Sequence, residues 1–300
     1  MATAATLTST GTILSASGKA SLELIDYTRN KGACSSQPLD PIDWRLPETK
    51  LRLEQMSKER EEPKNVVIQD IRGEEQKYTL DIHGFQYVHH EISGVSDWSD
   101  EAQLKEIVIP ETEKLVKEIT GATKTIVFTH RIRCFSKDER QHVNNQAPAH
   151  SVHTDFSPTG ARHSVQSQIR DKDELEHLLR WRIQIINVWR PLKTVRRDPL
   201  AVCDYQTVDQ EEDFVPIKMI FPHDWAEMNR VRFNRKHKWY YLHEQRPNEP
   251  LVFKQFDSRS GCETLPHSAF VIPETQHHDP RESIEIKMWA FHPEDNKEGR

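Results

Sequence analysis

Four short motifs place a histidine two residues before a carboxylate, which is a spacing that suits a metal site. They are His89–Glu91, His153–Asp155, His277–Asp279 and His292–Glu294. In a β-strand, residues i and i+2 point to the same face, so such a pair can offer an imidazole and a carboxylate to one ion. The first pair precedes a helical pattern, and the last two leave too little chain to complete a barrel. We therefore favour His153 and Asp155.

A site built from two histidines and one carboxylate needs its third ligand from a distant strand. The downstream histidines that are open for this position are His163, His177, His223, His237, His243 and His267. His267 lies in the segment LPHSAFVI, where a turn leads into an apolar strand. We favour His267 because this setting matches a ligand at the start of a core strand.

Arg281 and Ser283 form a second i, i+2 pair, in the last strand-like segment, PRESIEIKMWAF. A buried guanidinium beside a hydroxyl suits a carboxylate, because the two groups can donate several hydrogen bonds to its oxygens. His-x-Asp, a distant His and Arg-x-Ser, in this order, are far more specific together than any one of them. The combination indicates a metal centre next to a carboxylate-binding site.

The segment RIQIINVWR carries polar side chains on both faces of a predicted strand, which is unusual in the middle of a sheet. Gln184, Asn187 and Arg190 are therefore candidate contacts to a cosubstrate or a substrate. Arg131 and Arg133, in the strand before the metal motif, are candidate contacts to an acidic substrate. An exposed alternating strand is the alternative explanation for these two arginines.

Strands dominate the part of the chain that must position these residues. The predicted strands cover 124–135, 182–189, 214–221, 231–233, 240–242, 251–256, 268–272 and 283–291. Turns rich in Pro, Gly, Asn and Asp separate them, and one predicted helix, 172–180, interrupts them. This pattern predicts a mainly β fold with flanking helices and a jelly-roll core of two sheets. An ordinary sandwich is the alternative architecture.

The first 120 residues are expected to support the core. Residues 1–18, rich in Ala, Thr and Ser, predict a disordered tail and lack the pattern of a secretory signal. Residues 19–60 predict an irregular arm. We expect 19–120 to form an arm and supporting helices packed on a catalytic core, 121–300, within one structural domain.

Two local predictions concern this N-terminal part. Residues 66–70 and 78–82 predict short strands around a turn, while 99–119 predict a helix that begins at Ser99 or Asp100. Pro110 predicts a break in the helix or a second helix start.

Composition excludes several classes of protein. The chain has 300 residues and a net charge of −6, and its one basic run, RVRFNRKHK, reads as an exposed strand face, so no nucleic-acid partner is expected. Only 10 residues are Gly, which argues against Gly-rich phosphate loops. No apolar run approaches the roughly 18 residues of a membrane span. The expected partner is a small-molecule substrate, and a homodimer is left open.

The cysteines indicate a compartment. The 4 cysteines are far apart, and none forms a C-x-x-C pair. Few, dispersed cysteines in a chain of this length are typical of reduced thiols inside a cell. We therefore expect a cytoplasmic protein. With 16 histidines against 4 cysteines, imidazole and carboxylate are the expected ligands of any metal.

The segments IQIINVWRPLKTVRRDPLAVCD, HKWYYL, PHSAF and PRESIE, with the order of motifs above, resemble the non-haem Fe(II)/2-oxoglutarate-dependent oxygenases. The similarity is greatest to the fungal gibberellin-desaturase and cephalosporin-methoxylase-like branch, and it covers residues 120–292 strongly. The resemblance implies a double-stranded β-helix, a jelly-roll or cupin-like variant, that uses Fe(II), 2-oxoglutarate and O2. It implies that His153, Asp155 and His267 bind iron. It also implies that Arg281, assisted by Ser283, pairs with the distal carboxylate of 2-oxoglutarate.

This resemblance implies oxidation of an unactivated C–H bond in a small natural-product intermediate of secondary metabolism, with release of succinate and CO2. Hydroxylation, desaturation and oxidative cyclisation all stay open, because pocket shape decides among them. One rival is a cupin-type metal-dependent dioxygenase or oxidase without 2-oxoglutarate, which would need no carboxylate-binding pair at Arg281 and Ser283. The other is a non-catalytic jelly-roll binding module, which predicts no dependence on His153.

Overall fold

The computed structural model describes residues 20–28, 39–43, 45–46, 49, 61–133, 148–259 and 264–293. The strands in this part of the chain are β1 (Ala20–Thr28), β2 (Leu39–Asp43), β3 (Glu61–Asp70), β4 (Phe85–Tyr87), β5 (Lys124–Arg133), β6 (His153–Thr154), β7 (Arg182–Pro191), β8 (Leu200–Cys203), β9 (Phe214–Ile220), β10 (Trp225–Val231), β11 (Trp239–Tyr241), β12 (Leu251–Asp257), β13 (His267–Ala269) and β14 (Ser283–His292). The predicted tail, 1–18, lies outside the described residues.

The helices are short and lie between or beside these strands. They are α1 (Leu80–His83), α2 (Glu101–Gln103), α3 (Ile109–Thr120), α4 (Pro158–Gln168) and α5 (Lys172–Leu178). A π-helical turn, Leu104–Val108, joins α2 to α3, and 3-10 turns cover Glu75–Lys77, Tyr205–Thr207 and Pro273–Thr275. None of the helices in the described ranges has the length and apolar character of a bilayer span.

The strands form two sheets. One sheet has nine strands in the order β1-β3-β11-β8-β13-β6-β10-β9-β2, and the other has five in the order β4-β12-β7-β14-β5. Apolar side chains from both sheets meet in shared clusters, for example Trp189 and Phe253 of the smaller sheet with Val202 and Tyr240 of the larger. The core therefore lies between the sheets. The predicted mainly β fold with flanking helices is confirmed.

Helices cover the outer face of the five-stranded sheet. Leu104, Val108 and Leu115 pack against Ile186 and Val188, which point outward from β7. The predicted helix is confirmed, and so is its interruption. The Asp100 side chain caps α2 by accepting a hydrogen bond from the Ala102 amide, and Pro110 stands at the start of α3, after the π-helical turn. The residues before it, Val108 and Ile109, keep helical dihedral angles, so the interruption is a change from π-helical to α-helical hydrogen bonding within a continuous helix.

Three local expectations were wrong. The predicted strand 78–82 contains helix α1, because Thr79 accepts a hydrogen bond from the Ile82 amide and Gly84 ends the helix with φ of 81°. The predicted strand 231–233 is displaced, since β10 ends at Val231. The arm 19–60, expected to be irregular, contributes β1 and β2, which complete the edges of the nine-stranded sheet. Edge strands of this kind form because they pair with strands that are distant in sequence, and a local sequence pattern does not reveal such pairing.

Helix α4 was also absent from the predicted elements. Ser157 caps it by accepting a hydrogen bond from the Gly160 amide, and Pro158 follows at its first position. A side chain at Gly160 would not fit, because its Cβ would lie 2.1 Å from the Glu227 carbonyl oxygen of β10. The Ser157 amide donates to the same carbonyl over 2.9 Å. These contacts hold the chain in place directly after Asp155.

Candidate metal centre

The structure brings His153, Asp155 and His267 together. One possible ligand atom from each lies within 4.8 Å of the others. His153 and His267 are cross-strand partners, because β6 pairs with β13 in that register, and their ring centroids are 4.4 Å apart. Among the described residues, this is the group of His, Cys, Asp and Glu with the geometry to hold a metal ion.

Backbone carbonyls fix the orientation of both imidazoles. His153 Nδ1 is 2.8 Å from the Ser151 carbonyl oxygen, and His267 Nδ1 is 3.2 Å from the Leu265 carbonyl oxygen. Because a carbonyl only accepts, each Nδ1 carries the proton, and each Nε2 keeps a lone pair for a metal. Both Nε2 atoms lie 3.9 Å from Asp155 carboxylate oxygens.

Electrostatics keep His153 and Asp155 in the protonation states that metal binding requires. Burial, assisted by the adjacent His267, lowers the pKa of His153 to about 3, so its imidazole is neutral near pH 7. Burial alone would raise the pKa of Asp155. The Lys287 ammonium and the two histidines lower it by more than burial raises it, so the pKa of Asp155 lies below its ordinary value. A neutral imidazole and an ionised carboxylate are the forms that ligate metals.

Asp155 follows the end of β6 at Thr154, and contacts from three other residues hold it in place. Its amide donates to Gln255 Oε1 over 2.8 Å. Lys287 Nζ lies 2.9 Å from Oδ1, and Asn187 Nδ2 lies 3.4 Å from Oδ2. Two imidazole nitrogens and one carboxylate oxygen on one side of an ion form the donor set of non-haem Fe(II) sites. The residues present therefore fit Fe(II).

The same cavity contains a site for a carboxylate. Arg281 and Ser283 are 7% and 0% exposed. Arg281 Nη1 donates to the Asp198 carbonyl over 2.7 Å, and its guanidinium lies 5.1 Å from the centroid of the Trp189 ring. Arg281 Nε and Ser283 Oγ have no hydrogen-bond partner among the residues that the structure describes. Buried donors are rarely left unpaired, so these two fit an oxyanion that accepts from both.

Arg281 stays cationic near neutral pH. Burial, followed by the repulsion of Arg133, lowers the pKa of Arg281 to about 10. The cavity that joins it to the metal-binding cluster is lined by Arg133, Ala149, His153, Asp155, Trp189, Leu200, Phe253, His267, Ala269, Arg281 and Glu285. A dianion with one end at Arg281 would therefore lie in the space that adjoins the three ligand atoms.

Two of the other predicted contacts lie at this site. Asn187 is completely buried, and its Nδ2 donates to Glu285 Oε1 over 2.6 Å and more weakly to Asp155. Arg133 lines the cavity with Nη2 3.6 Å from Glu285 Oε2.

The remaining three predicted contacts do not line this cavity. Gln184 donates to Asp257 over 2.8 Å and accepts from His292. Arg190 donates to the carbonyls of His90 and Pro247. Arg131 is exposed on β5. Alternation along β7 separates Gln184 and Arg190 from Asn187, because even-numbered residues of this strand face the helical layer and odd-numbered residues face the space between the sheets.

Sequence reasoning missed Glu285, Lys287 and Gln255. A signal for the first two was present, since the i, i+2 series that begins with Arg281 and Ser283 continues through Glu285 and Lys287. All four residues therefore belong to one face of β14 and its N-terminal extension. Gln255 had no comparable signal.

Comparisons with known proteins agree with this site. A family model described as an oxidoreductase/YMDC permease-like domain matches residues 26–291. The chain is 32% identical over 240 residues to the alpha-ketoglutarate-dependent dioxygenase tstK of Talaromyces stipitatus, a match that covers 76% of the chain and 84% of that protein. It is 31% identical over 304 aligned positions to the gibberellin cluster GA4 desaturase of Gibberella fujikuroi, covering 75% and 86%.

A solved structure supports the fold. The iron and alpha-ketoglutarate-dependent endoperoxidase NvfI superposes with a TM-score of 0.76 at 23% identity, covering 92% of this chain and 99% of that one. The predicted jelly-roll core is thereby confirmed. Alpha-ketoglutarate is the older name of 2-oxoglutarate. The chain belongs to the Fe(II)/2-oxoglutarate-dependent dioxygenases, a family whose members include these fungal enzymes and whose cofactors are Fe(II), 2-oxoglutarate and O2.

Proposed function

We propose that this dioxygenase oxidises an unactivated C–H bond of a small natural-product intermediate, with release of succinate and CO2. One observation carries the proposal. The ligand atoms of His153, Asp155 and His267 converge near the cavity that Arg281 lines, and the buried Arg281 Nε and Ser283 Oγ have no hydrogen-bond partner in the described part of the chain. A protein that used its metal without 2-oxoglutarate would have no need for these two donors.

In this proposal, His153, Asp155 and His267 bind Fe(II) on one side and leave its remaining positions open. Bound iron and 2-oxoglutarate supply the oxidation chemistry, in which O2 is reduced as 2-oxoglutarate loses CO2. The protein's own part is to bind and orient. Arg281 and Ser283 hold the distal carboxylate, and the Trp189 ring lies against the Arg281 guanidinium.

Asn187 and Arg133 remain candidate contacts to cosubstrate or substrate, because Asn187 contacts the Asp155 carboxylate and Arg133 lines the cavity. For Gln184 and Arg190 we propose a structural role instead. Both form hydrogen bonds within the protein, Gln184 with Asp257 and Arg190 with two backbone carbonyls. Arg131 is exposed and belongs to a substrate only if part of that substrate reaches the surface.

The outcome of the oxidation is left to the substrate pocket. Relatives are named as desaturase, as hydroxylase/desaturase (CTB9 of Cercospora beticola) and as dioxygenase. Hydroxylation, desaturation and oxidative cyclisation share their first step, removal of a substrate hydrogen. We therefore propose a small molecule as the class of substrate.

The test is to add Fe(II) and 2-oxoglutarate to the protein without oxygen and to record the visible spectrum, then to admit air and measure succinate. Chelation of iron by 2-oxoglutarate should give a weak charge-transfer band, and air should give succinate. No band and no succinate in the wild type would contradict the proposal. Consumption of O2 that does not depend on 2-oxoglutarate would favour the cupin-type alternative. Absence of iron binding would favour the non-catalytic binding module.

We also propose that residues 19–120 serve as arm and support for the catalytic part, 121–300. Tyr27 of β1 supports this, because its hydroxyl accepts a hydrogen bond of 2.7 Å from Trp239 Nε1 in the core. Tyr27→Phe should leave that indole N–H unpaired and lower the free energy of unfolding by about 1–3 kcal/mol. In the background of Trp239→Phe, the same change should cost less. Equal costs in both backgrounds would contradict the support that we assign to this contact.

A cytoplasmic location and the absence of nucleic-acid and membrane partners complete the proposal. The thiol of Cys203 is buried and forms no disulfide, which supports a reducing compartment. A fluorescent fusion in the native host would test the location. Light scattering at several protein concentrations would decide between a monomer and the homodimer that the sequence left open.

A further inference from the structure

Four buried side chains form a closed ring behind the metal-binding cluster. Lys287 Nζ lies 2.9 Å from Asp155 Oδ1 and 3.2 Å from Glu285 Oε1. Asn187 Nδ2 donates to Glu285 over 2.6 Å and, at 3.4 Å, to Asp155 Oδ2. Lys287 and Asn187 are cross-strand partners on β14 and β7, which fixes their spacing. In the proposed function Asp155 is a metal ligand and Asn187 a candidate contact, whereas Lys287 and Glu285 have no assigned part.

Lys287 places one positive charge beside Asp155, and a bound metal would place a second positive charge there. Its side chain is 15% exposed, and two carboxylates flank its ammonium, so the charge is retained in the interior. Asp155 cannot satisfy both cations without cost, since two positive charges a few ångströms apart repel strongly where water is excluded. Without metal, the ammonium neutralises Asp155.

Glu285 offers the ammonium a second anion. It is 7% exposed, its Oε1 lies near Lys287, and its Oε2 is 3.6 Å from Arg133. When Asp155 binds a metal, its carboxylate stabilises the Lys287 ammonium less. The interaction of Lys287 with Glu285 compensates part of this lost stabilisation. The pair thus differs from a simple support for Asp155, because its two charges act on the metal with opposite signs.

We propose that Lys287 competes with the metal for Asp155, and that Glu285 weakens this competition by sharing the ammonium, so that the pair sets the metal affinity. The proposal rests on the proposed function, because it takes Asp155 as a metal ligand. Lys287 and Glu285 are positioning residues in this view, since they act through Asp155. The alternative is that Lys287 only orients Asp155 and thereby strengthens metal binding.

The experiment measures the affinity of the full-length protein for Mn(II), by titration calorimetry and by loss of the free-ion electron paramagnetic resonance signal. Lys287→Met should bind Mn(II) more tightly, on the order of tenfold. Glu285→Gln should bind it more weakly by a similar factor. Opposite signs are decisive, because structural damage would weaken binding in both variants. Lys287→Met that binds Mn(II) equally or more weakly would overturn the proposal.

Three further variants complete the test. Lys287→Met/Glu285→Gln leaves no unpaired charge from this ion pair, and it should bind Mn(II) more tightly than Glu285→Gln alone. Lys254→Met is the control, because Lys254 is also a buried lysine in an ion pair but its partner is Asp257, at 3.3 Å, and it should not change the affinity. His153→Ala separates the two proposals. If it binds Mn(II) as the wild type does, the metal site itself is misassigned; if it does not bind, the Lys287 result stands on its own.

Discussion

His153 and His267 face each other across the antiparallel pair β6 and β13, with ring centroids 4.4 Å apart. Both rings use Nδ1 on a backbone carbonyl two residues earlier in the chain, Ser151 for the first and Leu265 for the second. In each case the residues just before the strand therefore fix the tautomer of the histidine that begins it. The cluster is preorganised to present two Nε2 atoms and one carboxylate to the same point.

Removing either imidazole should abolish metal binding. We expect His153→Ala and His267→Ala to show no saturable Mn(II) binding and no succinate formation, because each leaves two ligands where three are needed. Calorimetry with Mn(II) and a succinate assay measure this. His163→Ala is the control, since His163 is bonded to Asp224 away from the cluster. Metal binding by either core variant at wild-type affinity would refute the ligand assignment.

Arg281→Ala should raise the 2-oxoglutarate concentration needed for half-maximal turnover by on the order of 10²-fold, the loss expected for a buried charged hydrogen bond. Its affinity for Mn(II) should change far less, because Arg281 does not contact the three ligand atoms. Steady-state kinetics with varied 2-oxoglutarate measures the effect. Arg196→Ala, at an arginine that is 60% exposed, is the control. An unchanged 2-oxoglutarate requirement would show that Arg281 serves another purpose.

Ser283→Ala separates binding from stability. Ser283 Oγ is buried without a partner in the described part of the chain, so its removal should leave the free energy of unfolding unchanged or slightly raised. The 2-oxoglutarate requirement should rise about tenfold, since one hydrogen bond to an anion is lost. Chemical denaturation and steady-state kinetics report the two quantities. Lower stability with an unchanged 2-oxoglutarate requirement would make Ser283 a structural residue.

Asp257 should contribute to the acid stability of the fold. Burial alone would raise its pKa, but hydrogen bonds from Arg182 and Gln184 lower it to about 2. An aspartate with this depressed pKa stabilises the folded state fully above its unfolded value near 4, and the contribution disappears as pH falls from about 4 to 2. The loss should amount to about 2 kcal/mol over this interval.

Asp257→Asn should therefore lower stability at pH 7 and flatten the decline in acid, because the asparagine does not titrate. Urea denaturation of both proteins between pH 2 and pH 7 measures the difference. A variant whose stability falls as steeply as that of the wild type over this interval would exclude Asp257 as the source.

The sequence by itself determined which side chains share a strand face and in what order the chemical groups occur. His-x-Asp, a later His and Arg-x-Ser were sufficient for a metal and carboxylate site, because the period of two along a strand depends only on the local backbone. The same rule would have extended the last motif to Glu285 and Lys287. The helix cap, predicted at Ser99 or Asp100 and found at Asp100, and the interruption near Pro110 were equally local signals.

Only the tertiary structure decided which faces meet. It placed His267, among six open histidines, opposite His153 through strand register. It turned Asn187 toward Asp155 and Gln184 toward Asp257, although both occupy one strand. Periodicity states that two residues share a face, but the packing of helices on one side of the sheet decides which face is interior. Contacts such as that of Lys287 with Asp155 join residues far apart in sequence, and only the folded chain brings them within hydrogen-bonding distance.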